Sequence, residues 1–179
     1  MNETATFAGG CFWCTEALFQ RIKGVTTVTS GYATSTSYTV IPSYNQVASG
    51  TTDFAEAIQI TFDTAAITYQ KLVFIFLRVH DPTTLNRQGG DTGPQYRSAI
   101  FYENSDQKET AESEIDKANK EIYDDKIITE VSKLEKFHSA EDYHQDYYRN
   151  NQDKPYCQIV INPKLDKFKK EFSKYLKAD

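Results

Sequence analysis

Residues 4–14 read TATFAGGCFWC and change from a strand pattern to a helix pattern at a pair of glycines. Polar and apolar residues alternate over residues 4–8, which predicts a short β-strand. Gly9 and Gly10 then permit a tight turn, because glycine adopts backbone conformations that other residues avoid. Apolar residues return at helical spacing after Cys11, so we expect a helix that begins at or just before this cysteine.

The rest of the chain alternates between strand and helix patterns. Strands are predicted at residues 25–33, 54–62, 98–102, 128–131 and 158–161. Helices are predicted at residues 68–79, 107–125, 140–150 and 163–175. Polar stretches with glycine or proline predict long loops at residues 35–49 and 83–95. The sequence contains no repeat or linker, so we expect one interleaved α/β (α+β) domain over residues 1–179.

Composition and charge exclude several classes of function. The 179 residues are 39% hydrophobic, which is enough for one globular core. Twenty Lys and Arg against 25 Asp and Glu give a net charge of -5, so the chain lacks a broad cationic surface for nucleic acid or anionic lipid. The longest apolar run, residues 72–77, is far shorter than the roughly 20 residues of a membrane span. The first residues show no leader pattern, so we expect a cytoplasmic protein.

The three cysteines are expected to have a chemical role. Their number is odd, which argues against a framework of disulfide bonds. Cys11 and Cys14 form a Cys-x-x-Cys pair, and Cys157 lies near the other end of the chain. Zinc would need a second pair of ligands at metal spacing, which Cys157 and three scattered histidines do not supply. We therefore expect a redox site and no metal site.

Cys11 is the candidate nucleophile. Helix N-termini stabilise thiolates, so its position predicts a lowered pKa. Phe12 and Trp13, the only tryptophan, would supply an apolar wall beside it. From these residues alone, an alternative is that Cys11 is a small buried hydrophobic residue and that both aromatic residues belong to the core.

Other polar residues have simpler structural explanations. His80 is expected to cap or pack against the helix that it follows. A polar helix face is the preferred explanation for four residues, which are His138, Glu141, Asp142 and His144. A solvated helix face is preferred for the C-terminal lysines, which are Lys164, Lys167, Lys169, Lys170 and Lys174.

Several motifs, in order, resemble peptide methionine sulfoxide reductase A. The motifs are GGCFW (9–13), SGT (49–51), AEA (55–57), HDPTTLNRQG (80–89), QYRSAI (95–100), AEDYHQ (140–145), YC (156–157) and PKL (163–165). The resemblance spans nearly the whole chain. It implies a two-layer sandwich, a ferredoxin-like plait with a mixed β-sheet and flanking helices. It also implies reduction of free and protein-bound methionine S-sulfoxide to methionine.

The same resemblance assigns roles to residues of this chain. Cys11 resembles the nucleophile that becomes a sulfenic acid, and Glu56 resembles the acid that protonates the sulfoxide oxygen. A sulfoxide oxygen leaves poorly until it is protonated, so the reaction needs an acid whose pKa is raised by an apolar pocket. Tyr44 and Tyr96 match the two tyrosines that hydrogen-bond the sulfoxide oxygen. Phe12 and Trp13 match the wall that receives the methyl group of the substrate. Asp91 and Tyr156 match further residues of the pocket.

The thiol that resolves the sulfenic acid has two candidates. Cys157 matches the position of a resolving cysteine in many members, and we prefer it. Cys14 lies one helical turn from Cys11 and is an alternative or a relay. The resemblance further implies a monomer that uses no metal or organic cofactor and takes electrons from thioredoxin or another dithiol.

The sequence departs from the family pattern at several positions, and it is also compatible with two rival functions. Phe54 replaces the usual histidine before Ala-Glu, and Thr34-Ser35 replaces a Gly-Gly, so the loop at residues 34–42 is the least transferable part. One rival is a thioredoxin-like oxidoreductase that uses Cys11 and Cys14. The other is a non-catalytic domain that binds methionine-containing peptides.

Overall fold

The computed structural model describes residues 1–37 and 40–178. Its strands are β1 (Asn2–Gly9), β2 (Val25–Thr34), β3 (Ala55–Asp63), β4 (Arg87–Gln88), β5 (Asp91–Thr92), β6 (Ser98–Tyr102), β7 (Glu130–Lys133) and β8 (Lys136–Ser139). Its helices are α1 (Phe12–Phe19), α2 (Tyr44–Ala48), α3 (Tyr69–Val79), α4 (Ser105–Ala118), α5 (Tyr147–Asn150) and α6 (Asn162–Glu171). The strand and helix predicted on either side of the glycine pair are confirmed.

Six strands form one mixed sheet in the order β7-β6-β1-β3-β2-β8. Strands β6 and β7 are parallel, and the other neighbours are antiparallel. Strands β4 and β5 form a separate two-stranded hairpin. The expected mixed α/β fold is therefore confirmed.

Strand β3 separates a large core from a smaller one because its side chains alternate between two faces. Ile58, Ile60 and Phe62 are fully buried and pack in the large core with α1 and α3. Ala55 and Ala57 point to the opposite face, where a small cluster contains Phe101 and further alanines. Glu56 has the same parity as Ile58, so it lies on the face that packs against α1.

The C-terminal third differs most from the predicted pattern. The strand predicted at residues 158–161 is wrong, because Cys157–Ile161 forms a π-helical turn that leads into α6. Local β-branched residues favoured a strand, but Cys157 and Ile161 are both buried at helical spacing. The helix predicted at residues 140–150 is a 3₁₀ turn followed by the short α5. Asp146, with φ +52°, separates the two.

The loop predicted at residues 35–49 contains the short helix α2. Its N-cap is Ser43, whose side chain accepts from the Gln46 N–H while the Gln46 side chain accepts from the Ser43 N–H at 2.8 Å. This Ser-x-x-Gln capping box was visible in the sequence. Residues 38 and 39 of the 34–42 loop lie outside the described residues.

His80 has the capping and packing role expected of it. It is buried at the end of α3, where its Nδ1 is 2.6 Å from the Phe76 carbonyl and its Nε2 is 2.7 Å from Ser98 Oγ.

Within the described ranges, none of the helices is both long enough and apolar enough to cross a bilayer.

Gly31 permits the close approach of β2 and β8. An added Cβ would overlap the His138 carbonyl oxygen and the Phe137 ring, whereas one at Gly90 would meet nothing within 4 Å. We expect Gly31→Ala to lower the free energy of unfolding by about 1–3 kcal/mol, as overpacking does. The matched control, Gly90→Ala, should change it by less than about 1 kcal/mol. Urea denaturation measures both, and equal effects would contradict the described β2–β8 contact.

Candidate active site

Cys11 is the residue at which the turn after β1 becomes α1. Gly10 has φ +89°, and Cys11 is the N-cap, whose carbonyl accepts from the Cys14 N–H at 3.1 Å. The Cys11 side chain is half-buried and makes no capping hydrogen bond to the helix. The expected placement at a helix N-terminus is confirmed, but the sulfur itself receives no amide of α1.

Glu56 is buried beside this helix start. Its carboxyl group is 2% exposed and accepts the Phe12 N–H at 3.2 Å. The pKa of Glu56 is raised to about 8, chiefly by burial; the Phe12 N–H opposes this rise, and the charges of Asp91 and Cys14 contribute to it. Glu56 is therefore a neutral carboxylic acid at neutral pH, able to donate a proton.

The pKa of Cys11 is shifted in the opposite direction to the one predicted from the sequence. Burial raises the pKa of Cys11 well above its usual value, and the neighbouring Cys14 and Glu56 add to this. The hydrogen bond from Cys11 and the charge of Lys164 lower the pKa of Cys14 to about 7, although burial opposes them. The prediction of a lowered Cys11 pKa is therefore wrong for the unliganded site, where Cys14 is the more readily ionised thiol of the pair.

Tyr156 belongs to the C-terminal part of the chain, and Asp91 belongs to the β4–β5 hairpin. Both lie near the cysteine pair. The Tyr156 hydroxyl donates to Asp91 Oδ2 at 3.1 Å and lies 3.8 Å from Cys14 Sγ. Burial and the charges of Cys11 and Cys14 raise the pKa of Tyr156. Its hydroxyl is therefore a neutral donor close to both sulfurs.

Tyr44 lies in the segment predicted as a long loop at residues 35–49, and Tyr96 directly follows the loop predicted at residues 83–95. Tyr44 is the first residue of α2, and Tyr96 ends a 3₁₀ turn that follows the hairpin. Burial raises the pKa of each tyrosine, and the next cause for both is the charge that Glu56 acquires above about pH 8. Both phenols therefore remain neutral donors in the electrostatic neighbourhood of Glu56.

Trp13 is fixed by two contacts. Its ring stacks on Tyr147 with centroids 3.7 Å apart, and its Nε1–H donates to His144 Nδ1 at 3.0 Å. Phe12 is 1% exposed, with its ring 5.8 Å from Tyr32 and 5.0 Å from His144. Trp13 therefore presents the accessible part of this aromatic wall, and Phe12 lies in the core beneath it.

Two residues assigned to polar surfaces belong to the site. His144 is 1% exposed, and Lys164 is half-buried with Nζ 3.9 Å from Cys14 Sγ. The polar-face interpretation is wrong for His144, and the solvated-face interpretation is wrong for Lys164. Sequence analysis also missed Tyr147. The helical spacing of buried Cys157, Ile161, Leu165 and Phe168 is the signal that places Lys164 at the edge of an inward face.

Cys157 is also close to the pair. It is fully buried, and its pKa is raised first by burial and then by the charge of Cys14. All three cysteines are free thiols with no disulfide between them. In the part of the chain that the structure describes, no group of three or more His, Cys, Asp or Glu is arranged to hold a metal ion.

Comparisons with known proteins point to one family. The family described as peptide methionine sulfoxide reductase matches residues 3–176. The chain is 50% identical over 176 residues to the peptide methionine sulfoxide reductase MsrA of Haloquadratum walsbyi, covering 98% of this chain and 99% of the relative. It matches reduced Mxr1 from Saccharomyces cerevisiae with a TM-score of 0.79 and 33% identity, covering 87% of this chain and 89% of that one. Mxr1 in complex with Trx2 shares the fold, with a TM-score of 0.56 and 24% identity over 82% of this chain and 84% of that one.

The raised pKa of Glu56 predicts a pH-dependent difference in stability. The folded chain holds the Glu56 proton up to about pH 8, whereas an unfolded chain loses it near 4.5. Wild-type stability therefore falls as pH rises between these values, by about 1.4 kcal/mol per unit at most for one group. Glu56→Gln cannot ionise and should gain stability relative to wild type over this range. Urea denaturation at several pH values measures the difference, and a constant difference would contradict the assignment.

Proposed function

The chain belongs to the peptide methionine sulfoxide reductase family, and we propose that it reduces methionine S-sulfoxide, free or in proteins, to methionine through Cys11. Membership makes it an oxidoreductase that acts on methionine sulfoxide. The preference for the S epimer and the residue roles are proposals. One observation carries the residue roles, which is the buried Glu56 carboxyl bonded to the first amide of α1, beside Cys11. The epimer preference follows from the family resemblance.

In the first step, Cys11 attacks the sulfoxide sulfur and the oxygen moves to Cys11. Glu56 gives its proton to the sulfoxide oxygen, and the proton of the Cys11 thiol replaces it. The S–O bond of the substrate breaks as the Cys11 S–O bond forms. The products are methionine and the Cys11 sulfenic acid, and Glu56 is again neutral.

The surrounding residues bind and polarise the substrate. Tyr44 and Tyr96 are neutral hydroxyl donors for the sulfoxide oxygen, so they polarise the S–O bond without adding a competing charge. Trp13, held by Tyr147 and His144, offers an apolar face for the S-methyl group. Tyr156 and Asp91 complete the pocket through their mutual hydrogen bond.

A second thiol then condenses with the sulfenic acid to a disulfide, and water leaves. The electrons that return the thiols come from thioredoxin or a comparable dithiol, a proposal supported by the structure of Mxr1 with Trx2. The cycle uses no metal or organic cofactor, since the cysteines supply both electrons. We propose that the enzyme works in the cytoplasm, where thioredoxin keeps thiols such as these three reduced. We also propose that it is a monomer, because one chain supplies every residue of the proposed site.

The topology supports the more detailed description of the fold as a ferredoxin-like plait. Strands β6, β1, β3 and β2 are neighbours in that order. Helix α1 connects β1 to β2, and α3 lies between β3 and β6 in the chain. Both helices pack on the same face of the sheet, which fits two layers in one domain over residues 1–179.

Single-turnover reaction with the separate epimers tests the proposed function. The fully reduced protein should form one methionine per chain from the S epimer, none from the R epimer, and lose two thiols into one disulfide. Mass spectrometry counts both products. Cys11→Ser is the matched control and should form no methionine while it retains the fold.

Two results would contradict the proposal in different ways. Reduction of insulin disulfides without consumption of sulfoxide would favour the thioredoxin-like rival. Binding of methionine peptides with all thiols still titratable and no sulfoxide consumed would favour the non-catalytic rival.

A further inference from the structure

We propose that Lys164 holds Cys14 as a thiolate and thereby makes Cys14 the thiol that first attacks the Cys11 sulfenic acid. The inference rests on the proposed reductase function and concerns its second step. Cys14 is the reacting group in this step, and Lys164 is a positioning residue that acts through it.

Two polar groups lie close to the Cys14 sulfur. Lys164 Nζ lies 3.9 Å away, and the Tyr156 hydroxyl lies 3.8 Å away. The Tyr156 proton is donated to Asp91, so the donor to Cys14 is the Lys164 ammonium group. A thiolate accepts such hydrogen bonds more strongly than a thiol does, so this arrangement favours the charged form.

The ammonium group of Lys164 is directed into the protein although it belongs to a basic helix. Its charge lowers the pKa of buried His80 as well as that of Cys14. It also lines a cavity of about 530 Å³ with His80 and Asp81, so water can solvate its remaining donors. Lys167 on the same helix is exposed and pairs with Glu171 at 3.8 Å. The Lys164 charge therefore acts on Cys14, whereas the Lys167 charge pairs with a carboxylate on the surface.

Cys157 is less suited to be the first attacker. It is fully buried, and burial together with the charge of Cys14 raises its pKa, so it is a neutral thiol at neutral pH. Thiolates are the nucleophiles in disulfide chemistry. Cys14 ionises near pH 7, its N–H donates to the Cys11 carbonyl at 3.1 Å, and the pair has the Cys-x-x-Cys spacing of dithiol redox motifs. Cys157 then serves as the second thiol, which exchanges with Cys14.

The proposed step balances without a further reactant. The Cys14 thiolate attacks the Cys11 sulfur, the S–S bond forms, and the Cys11 S–O bond breaks. The departing hydroxide takes the proton of neutral Glu56 and leaves as water. Solvent then reprotonates Glu56. The Cys157 thiol then loses its proton as it attacks the Cys14 sulfur, the Cys11–Cys14 bond breaks, and Cys11 leaves as a thiolate that takes up a proton. The disulfide is now between Cys14 and Cys157, and Cys11 is free.

Rapid quenching of a single turnover tests the order of the disulfides. Peptide mapping of the wild-type protein should find Cys11–Cys14 as the first disulfide. The variant Lys164→Met should still release methionine but form the disulfide about tenfold more slowly at pH 7, because less Cys14 is ionised. A dimedone adduct on Cys11 should accumulate in this variant.

Direct titration separates an electrostatic role of Lys164 from a structural one. Thiolate absorbance near 240 nm should have a midpoint near pH 7 in wild type and at a higher pH in Lys164→Met. Lys164→Arg should restore the midpoint and the rate, and the matched control Lys167→Met should leave both unchanged. Lys164→Gln provides a second neutral variant if Lys164→Met folds poorly.

Either of two results would overturn the inference. One is a first disulfide between Cys11 and Cys157. The other is a neutral Lys164 variant that keeps both the wild-type titration and the wild-type rate of disulfide formation. If neither the wild type nor any variant forms methionine, the proposed reductase function fails instead. The yield of methionine therefore distinguishes failure of the function from failure of the inference about Cys14.

Discussion

The hydrogen bond from the Phe12 N–H to Glu56 joins the fold to the site. Glu56 occupies a core-facing position of β3, in the series that continues with Ile58, and its carboxyl accepts the first amide of α1 at 3.2 Å. A buried carboxylate without a cation is costly, so the group keeps its proton. The same contact fixes the turn at Cys11 against the sheet, and so places a proton donor next to a thiol. The other site residues are arranged around this pair.

The ionisable groups of the site differ in whether they are charged near neutral pH. Cys14 ionises near pH 7, while Glu56 and Cys11 stay protonated there. The tyrosines contribute hydroxyl donors that do not ionise near neutral pH, since burial raises the pKa of each. Cys11, the proposed nucleophile, is thus uncharged in the unliganded site. The groups proposed to donate to the sulfoxide oxygen are neutral as well.

Local patterns predicted the strand, turn and helix around Cys11, strand β6 and the start of α3. Resemblance supplied the roles proposed for Cys11 and Glu56. Errors arose where distant residues decide the structure. The helix predicted at residues 140–150 is broken at Asp146, whose N–H donates at 3.0 Å to Glu16, 130 positions away in sequence. The charges of the cysteine pair depend on Lys164, which is 150 positions from Cys14. No local pattern contains either contact.

Infrared spectroscopy of the Glu56 carboxyl tests the central claim most directly. The difference spectrum between wild type and Glu56→Gln isolates the C=O band of one protonated carboxyl group. The account predicts that this band persists at pH 7 and disappears with a midpoint near 8. A band lost near the usual value for glutamate, about 4.3, would contradict it, because Glu56 would then be a carboxylate that cannot protonate a sulfoxide.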